Sequence, residues 1–153
     1  MTGLHARWQP EHHHQPVSVR AIPDIDDLLN TLLAAPSEHP IAADLSLDSS
    51  IPPGLSPEWP RPQLLIGVNA REQLGSVRLT LHGDWYVQGN AGHDGTKCSY
   101  HLLGARRTFP ADALVTLDEV TLAIEDFLVN TGRRRAPCLA WTAWPADPDP
   151  GPQ

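Results

Sequence analysis

The apolar residues of this chain follow two periods. Ile25, Leu28, Leu29, Leu32 and Leu33 fall at i, i+3, i+4, i+7 and i+8, which predicts an amphipathic helix opened by Asp24 as N-cap and running to about Ala35. Asp26 and Asp27 stand in its first turn, where the helix dipole favours negative charge. A second stripe, Leu117, Val120, Ile124, Phe127 and Leu128, starts within Thr116-Leu117-Asp118-Glu119. That tetrapeptide is a capping box, in which Thr116 and Glu119 each bond the other's backbone N–H. The helix is expected to end near Asn130, with Gly132 as a left-handed cap. Elsewhere the period is two. Leu64, Ile66 and Val68 share one face of a strand over Gln63–Asn69. Residues 75–82 set Val77, Leu79 and Leu81 inward and Ser76, Arg78, Thr80 and His82 outward, as in a half-exposed antiparallel strand. His82-Gly83-Asp84 turns it into a strand over 85–88, giving a hairpin. Residues 17–21, 41–47, 97–103 and 137–144 are further predicted strands, and Gly104-Ala105-Arg106-Arg107 a turn.

This order of elements predicts an α+β fold: a mainly antiparallel sheet of about five to six strands with two amphipathic helices packed on it. Proline marks the joints. The chain has 16 prolines in 153 residues, about twice average usage, and they crowd the loop between Pro36 and Pro62. Residues 89–96, with three glycines, read as a flexible loop. Residues 1–16 are polar and His-rich and read as a disordered N-terminal segment. Residues 146–153 carry Pro148, Pro150 and Pro152, which forbid a helix or a central strand, and read as a disordered tail. A single domain is then expected over 17–145, within the length one domain normally takes.

Charge narrows the partners. Lys and Arg total 11 against 18 Asp and Glu, a net of −7. A phosphate backbone demands a basic footprint, so nucleic acid is excluded as a partner and a basic protein is favoured. No apolar run reaches the roughly 20 residues that span a bilayer, and the first 15 residues hold no apolar signal core, so a cytoplasmic address is expected. Cys98 and Cys138 both fall on predicted strands and read as buried free thiols rather than a disulfide scaffold.

Catalytic and metal patterns are absent from the sequence. His12-His13-His14 lies in the loose N-terminal segment and reads as solvated. His82, Asp84, His93, Asp94 and His101 could be gathered by the hairpin, but catalytic zinc needs three fixed ligands, and neither HExxH nor CxxC spacing occurs. There is no GxSxG, no phosphate-binding loop, and Gly89, Gly92 and Gly95 do not follow the dinucleotide pattern. No metal and no cofactor are expected. A small hydrolase using the His/Asp turns is the catalytic alternative to a binding protein. Trp85, Trp141 and Trp144 are late aromatics in predicted strands; Trp85 and Trp141 are expected in the core, and Tyr86 points opposite Trp85, so one of that pair should face solvent and serve as an interface anchor. The acidic residues Glu72, Asp84, Asp94, Asp112, Asp118 and Glu119 stand at loops and a helix start, as a solvated rim or as a patch aimed at a basic partner.

The spacing of singletons then resembles a family. Leu64-Leu65-Ile66-Gly67-Val68, Gly75 with its alternating strand, Gly83-Asp84-Trp85-Tyr86, Gly89 and Tyr100 occur in the order seen in the Imm-one family of bacterial immunity proteins. Phe109-Pro110-Ala111-Asp112, the helix with Ala123, Phe127 and Leu128, Thr131-Gly132 and Pro137 to Trp141 continue it. Arg133-Arg134-Arg135-Ala136 lengthens the segment before Pro137, and His101-Leu102-Leu103 replaces expected aromatics after Tyr100. The resemblance implies a non-enzymatic antitoxin of a polymorphic toxin system. Its partner would be a cognate toxin, a basic nucleic-acid deaminase domain carrying its own zinc, with the active site occluded by the antitoxin. A module binding another basic protein is the alternative. Hairpin tips and adjoining loops project from a sheet, so Glu72, Asp84, Tyr86 and Asp94 are the expected partner contacts.

Overall fold

The computed structural model describes residues 3–35, 40–47, 62–89, 99–130 and 132–145. The proline loop, most of the glycine loop with His93, Asp94 and Cys98, and the tail 146–153 lie outside the described residues. Two helices and a large, mainly antiparallel sheet make the fold α+β, as expected. Among the described residues the sheet has ten strands rather than five to six. They are β1 (Leu4–Arg7), β2 (Val17–Val19), β3 (Ile41–Leu47), β4 (Gln63–Asn69), β5 (Leu74–Thr80), β6 (Asp84–Val87), β7 (Ser99–Leu102), β8 (Ala105–Thr108), β9 (Val115–Thr116) and β10 (Trp141–Ala143). The main path runs β10-β6-β5-β4-β3-β1-β2, with β7 against β3 and β8, and β9 against β5.

The N-terminal segment corrects the expectation of disorder. β1 is inserted between β3 and β2, pairing Leu4 with Leu47 and Val19, and Ala6 with Leu45 and Val17. Leu4, Ala6 and Trp8 are buried. Nor is His12 solvated. It sits in a short 3₁₀ turn, Pro10–His13, where its Nδ1 accepts the N–H groups of Trp8 and Gln9, both at 3.1 Å, and its ring meets the Trp8 ring edge-on. One imidazole thus ties off two backbone donors that a strand end would otherwise leave open.

The strand alternation sorts two faces. Leu4, Ala6, Ala43, Leu45, Leu64, Ile66, Val68, Val77 and Leu79 share the face that carries the helices. α1 (Ile22–Ala34) and α2 (Leu117–Val129) lie side by side there, α1 against β2 and β4, α2 against β4, β5 and β9. α1 buries Ile25, Leu28, Leu29 and Leu32 as its period requires, but begins two residues before Asp24. Pro23 fits the first turn, and Asp24, already inside the helix, reaches back to accept the N–H groups of Arg20 at 2.9 Å and Ala21 at 3.1 Å. α2 opens on the predicted box, with Glu119 N–H donating to Thr116 Oγ1 at 3.2 Å and Thr116 N–H to Glu119 Oε1 at 3.3 Å. It closes on Gly132, at φ 67°, whose N–H bonds the Phe127 carbonyl.

The opposite face is closed in part by aromatics. Tyr100 on β7 lies over Gly67, where an added Cβ would stand 2.5 Å from the ring. Its hydroxyl shares a buried 2.8 Å hydrogen bond with Ser76. Ser76 is therefore buried on the face where alternation placed it outward. Residues 104–107, expected as a turn, instead give the two-residue turn Leu103-Gly104, both at positive φ, and the exposed strand β8. Cys138, expected buried in a strand, is an exposed free thiol before β10.

Candidate partner-binding surface

The β5–β6–β10 end of the polar face holds the densest side-chain network. Register sets Arg78 opposite Tyr86, Thr80 opposite Asp84, and Thr142 opposite Tyr86 on its other side. At the hairpin, Asp84 Oδ1 accepts the Thr80 hydroxyl at 2.7 Å and Oδ2 lies 3.2 Å from Arg78 Nη2. The Thr80 bond, aided by Arg78, holds the Asp84 carboxyl below its ordinary range, against the smaller opposing effect of burial. Both partners of the ion pair keep solvent contact, with 31% of the Arg78 side chain and 38% of the Asp84 side chain exposed.

Tyr86 is inside, 5% exposed, while Trp85 on the opposite face is half-buried beneath the Arg135 guanidinium, 3.8 Å above its ring. The Tyr86 hydroxyl donates to Asp112 Oδ1 at 2.7 Å, and Gln88 Nε2 donates to Asp112 Oδ2 at 3.0 Å. Thr142 extends the chain to Gln88 Oε1. Burial, then the bond to Asp112 and its charge, push the Tyr86 phenol up to about 12. Trp144 caps the assembly. It meets Tyr86 and Phe109 edge-on at 5.9 and 5.5 Å, and Arg78 lies 4.0 Å above its ring. Its N–H donates to the Asp84 carbonyl.

The sequence-derived contacts are thus dispersed. Asp84 is on this end, its charge facing Arg78. Tyr86 supports it from beneath. Glu72 is exposed in the turn between β4 and β5, its N–H bonded to Asn69 Oδ1. Glu72 lies in the turn before β5 and Asp84 lies opposite Thr80 at its far end, so the seven residues of the strand hold the two about 20 Å apart. Asp94 lies outside the described residues. Arg78, Gln88, Asp112 and Trp144 complete the network. Asp112 had a signal as part of the acidic set, and Trp144 as a late aromatic; Arg78 and Gln88 carried none.

Among the described residues no three His, Cys, Asp or Glu side chains are grouped to hold a metal ion. Among them, too, no helix is long and apolar enough to cross a membrane. What the arrangement offers is a polar, self-paired end of a sheet with aromatic backing, the kind of surface that meets another protein.

The family model for Immunity protein Imm1 matches residues 13–143. That span takes in well over half of the chain, which therefore belongs to this family of immunity proteins, as the spaced residues of the second half had suggested. No curated protein and no solved structure matches the chain.

Proposed function

We propose that this member of the Imm1 family neutralises a cognate toxin by binding its toxin domain one-to-one and occluding the active site. The family match over residues 13–143 carries the reading, and the net charge of −7 supports a basic partner. A nucleic-acid deaminase is the toxin class proposed. Such an enzyme grips nucleic acid with basic residues around a zinc-bound water and a catalytic Glu, so an acidic protein competes for the same groove. The zinc belongs to the toxin; the immunity protein contributes contacts and no chemistry. Its place of action is the cytoplasm of the producing cell. The loop residues proposed as contacts are Glu72, Asp84 and Asp94, with Tyr86 acting through the support it gives the β6 edge.

The test is co-expression with the cognate toxin domain, with survival and deamination of a single-stranded DNA probe as readouts. Protection with loss of deamination is expected. Cell death at equal expression, with deamination unchanged by added immunity protein, would overturn the reading.

A further inference from the structure

Among the described residues, acidic side chains concentrate on the two helices. Of the chain's 18 acidic residues, seven lie there: Asp24, Asp26 and Asp27 on α1, and Asp118, Glu119, Glu125 and Asp126 on α2. Neither helix contains a Lys or Arg. The other 11 acidic residues equal the 11 basic ones in number, so the charges carried on the two helices sum to the same −7 as the whole sequence. Three of the seven serve the fold. Asp24 and Glu119 cap their own helices, and Asp126 pairs with Arg134 at 3.0 Å. Asp26, Asp27, Asp118 and Glu125 form no ion pair among the described residues.

The apolar surface follows the same division. The exposed large hydrophobic residues among those described are Ile22, Leu122 and Val129, at 43%, 41% and 69%, and all three lie on these helices. On α2 the spacing of Asp118, Leu122, Glu125 and Val129 puts them on one stripe, opposite the buried Val120, Ala123, Ile124, Phe127 and Leu128. On α1 Ile22 and Asp26 are one turn apart. Exposed Leu and Val set between carboxylates do nothing for an isolated helix. In an interface they supply an apolar centre inside an acidic rim.

We infer that the outer face of the α1–α2 layer is the docking surface for a basic partner protein, with Leu122 and Val129 as its apolar anchors and Asp26, Asp27, Asp118 and Glu125 as its steering charges. This deepens the proposed function and rests on it. It makes the β6 loop contacts secondary, since Asp84 already faces Arg78 at 3.2 Å and projects little net field. The partner is a protein whose contact surface is basic with an apolar centre, as a nucleic-acid-binding groove provides once its phosphates are absent.

The experiment uses the full chain and the catalytically inactivated cognate toxin domain, with binding kinetics at two salt concentrations. One variant carries D26K, D27K and E125K; another carries L122S and V129S; a third carries E72K and D84K. The charged helix variant should associate about tenfold or more slowly at low salt, and its rate should lose most of its salt dependence. The apolar variant should leave association nearly unchanged and speed dissociation about tenfold. Asp26, Asp27, Leu122 and Val129 are exposed and Glu125 is half-exposed, so circular-dichroism melts of the two helix variants should match wild type closely, whereas E72K/D84K gives up the Asp84–Arg78 pair and should melt slightly lower. Helix variants that bind as wild type does, while E72K/D84K loses binding, would overturn this inference and leave the antitoxin reading intact. A wild type that does not bind the toxin domain at all would overturn both.

Discussion

Leu4→Ala is the sharpest test of the fold, because it probes a segment whose sequence reads as loose. Leu4 has no exposed surface and stands on the helix-bearing face of β1, between Val19 of β2 and Leu47 of β3. Truncation removes three buried carbons from a site walled by paired strands, which have little freedom to collapse. The expected loss is about 3–4 kcal/mol, from transfer and residual cavity together. At about 2–4 °C per kcal/mol for a chain of this size, the melting midpoint should fall by roughly 6–15 °C. The assay is paired thermal and urea unfolding followed by circular dichroism, with Gln9→Ala as an exposed control. The urea midpoint should fall with its slope unchanged, which marks lost stability rather than a changed unfolded state. Deleting residues 1–14 should do more, because it also bares the β3 edge, and an open edge invites aggregation. A Leu4→Ala melt within a degree of wild type would refute the argument, for β1 would then not be docked.

Three further outcomes follow from the opposite face. Gly67→Ala should destabilise by several kcal/mol, because its new methyl meets the Tyr100 ring; adding Tyr100→Ala should recover part of that loss in a double-mutant cycle of melts. Tyr86→Phe should lower stability by about 1–2 kcal/mol through the lost bond to Asp112, and a difference-ultraviolet titration should show one tyrosine of the wild type ionising near 12. A phenol raised by folding adds stability below its ordinary value of 10.0, and that contribution should vanish as pH climbs through 12. Asp84→Asn should act in the reverse sense. A depressed carboxyl stabilises above its ordinary 3.8, so the variant should melt slightly below wild type at neutral pH, by about 0.5 kcal/mol for so exposed a pair, and the gap should close in acid.

The legible parts of this fold are those where one local signal suffices. β3 and β4 fall on the expected residues, because each is a run of seven bounded by loop chemistry. α2 begins and ends where its box and its glycine put it. β1 was illegible because its signal is two buried side chains, Leu4 and Ala6, alternating with His5 and Arg7 beside a histidine run. What makes it a strand is the two partners it finds, β2 and β3, the second of them more than thirty residues away in sequence. β9 has two residues and no periodicity at all. Ser76 and Tyr86 misled for a shared reason. Alternation assigns polar atoms to water, whereas here Tyr100, Phe109 and Trp144 roof the second face and each hydroxyl finds its partner beneath that roof. The candidate contacts rest on position in loops, and position in a loop says nothing about whether a charge is already answered, as that of Asp84 is by Arg78.

That last point bears on how an acidic protein selects a partner. A carboxylate 3.2 Å from a guanidinium is a dipole, and its field fades faster with distance than that of a lone charge. At physiological salt only unbalanced charge reaches usefully beyond the screening length of about 8 Å. The mixed end of the sheet, where Arg78, Asp84 and Asp112 are all engaged, can therefore test a partner's fit only at contact. There, a misplaced charge strands a buried group and is rejected. On the helices, Asp26, Asp27, Asp118 and Glu125 stand outside any ion pair among the described residues, and on the inference above they act earlier, during approach. On the docking surface inferred above, approach falls to the helix carboxylates and retention to the apolar residues between them. Substitutions of the helix carboxylates should then move association and its salt dependence, whereas substitutions of Leu122 and Val129 should move the lifetime of the complex.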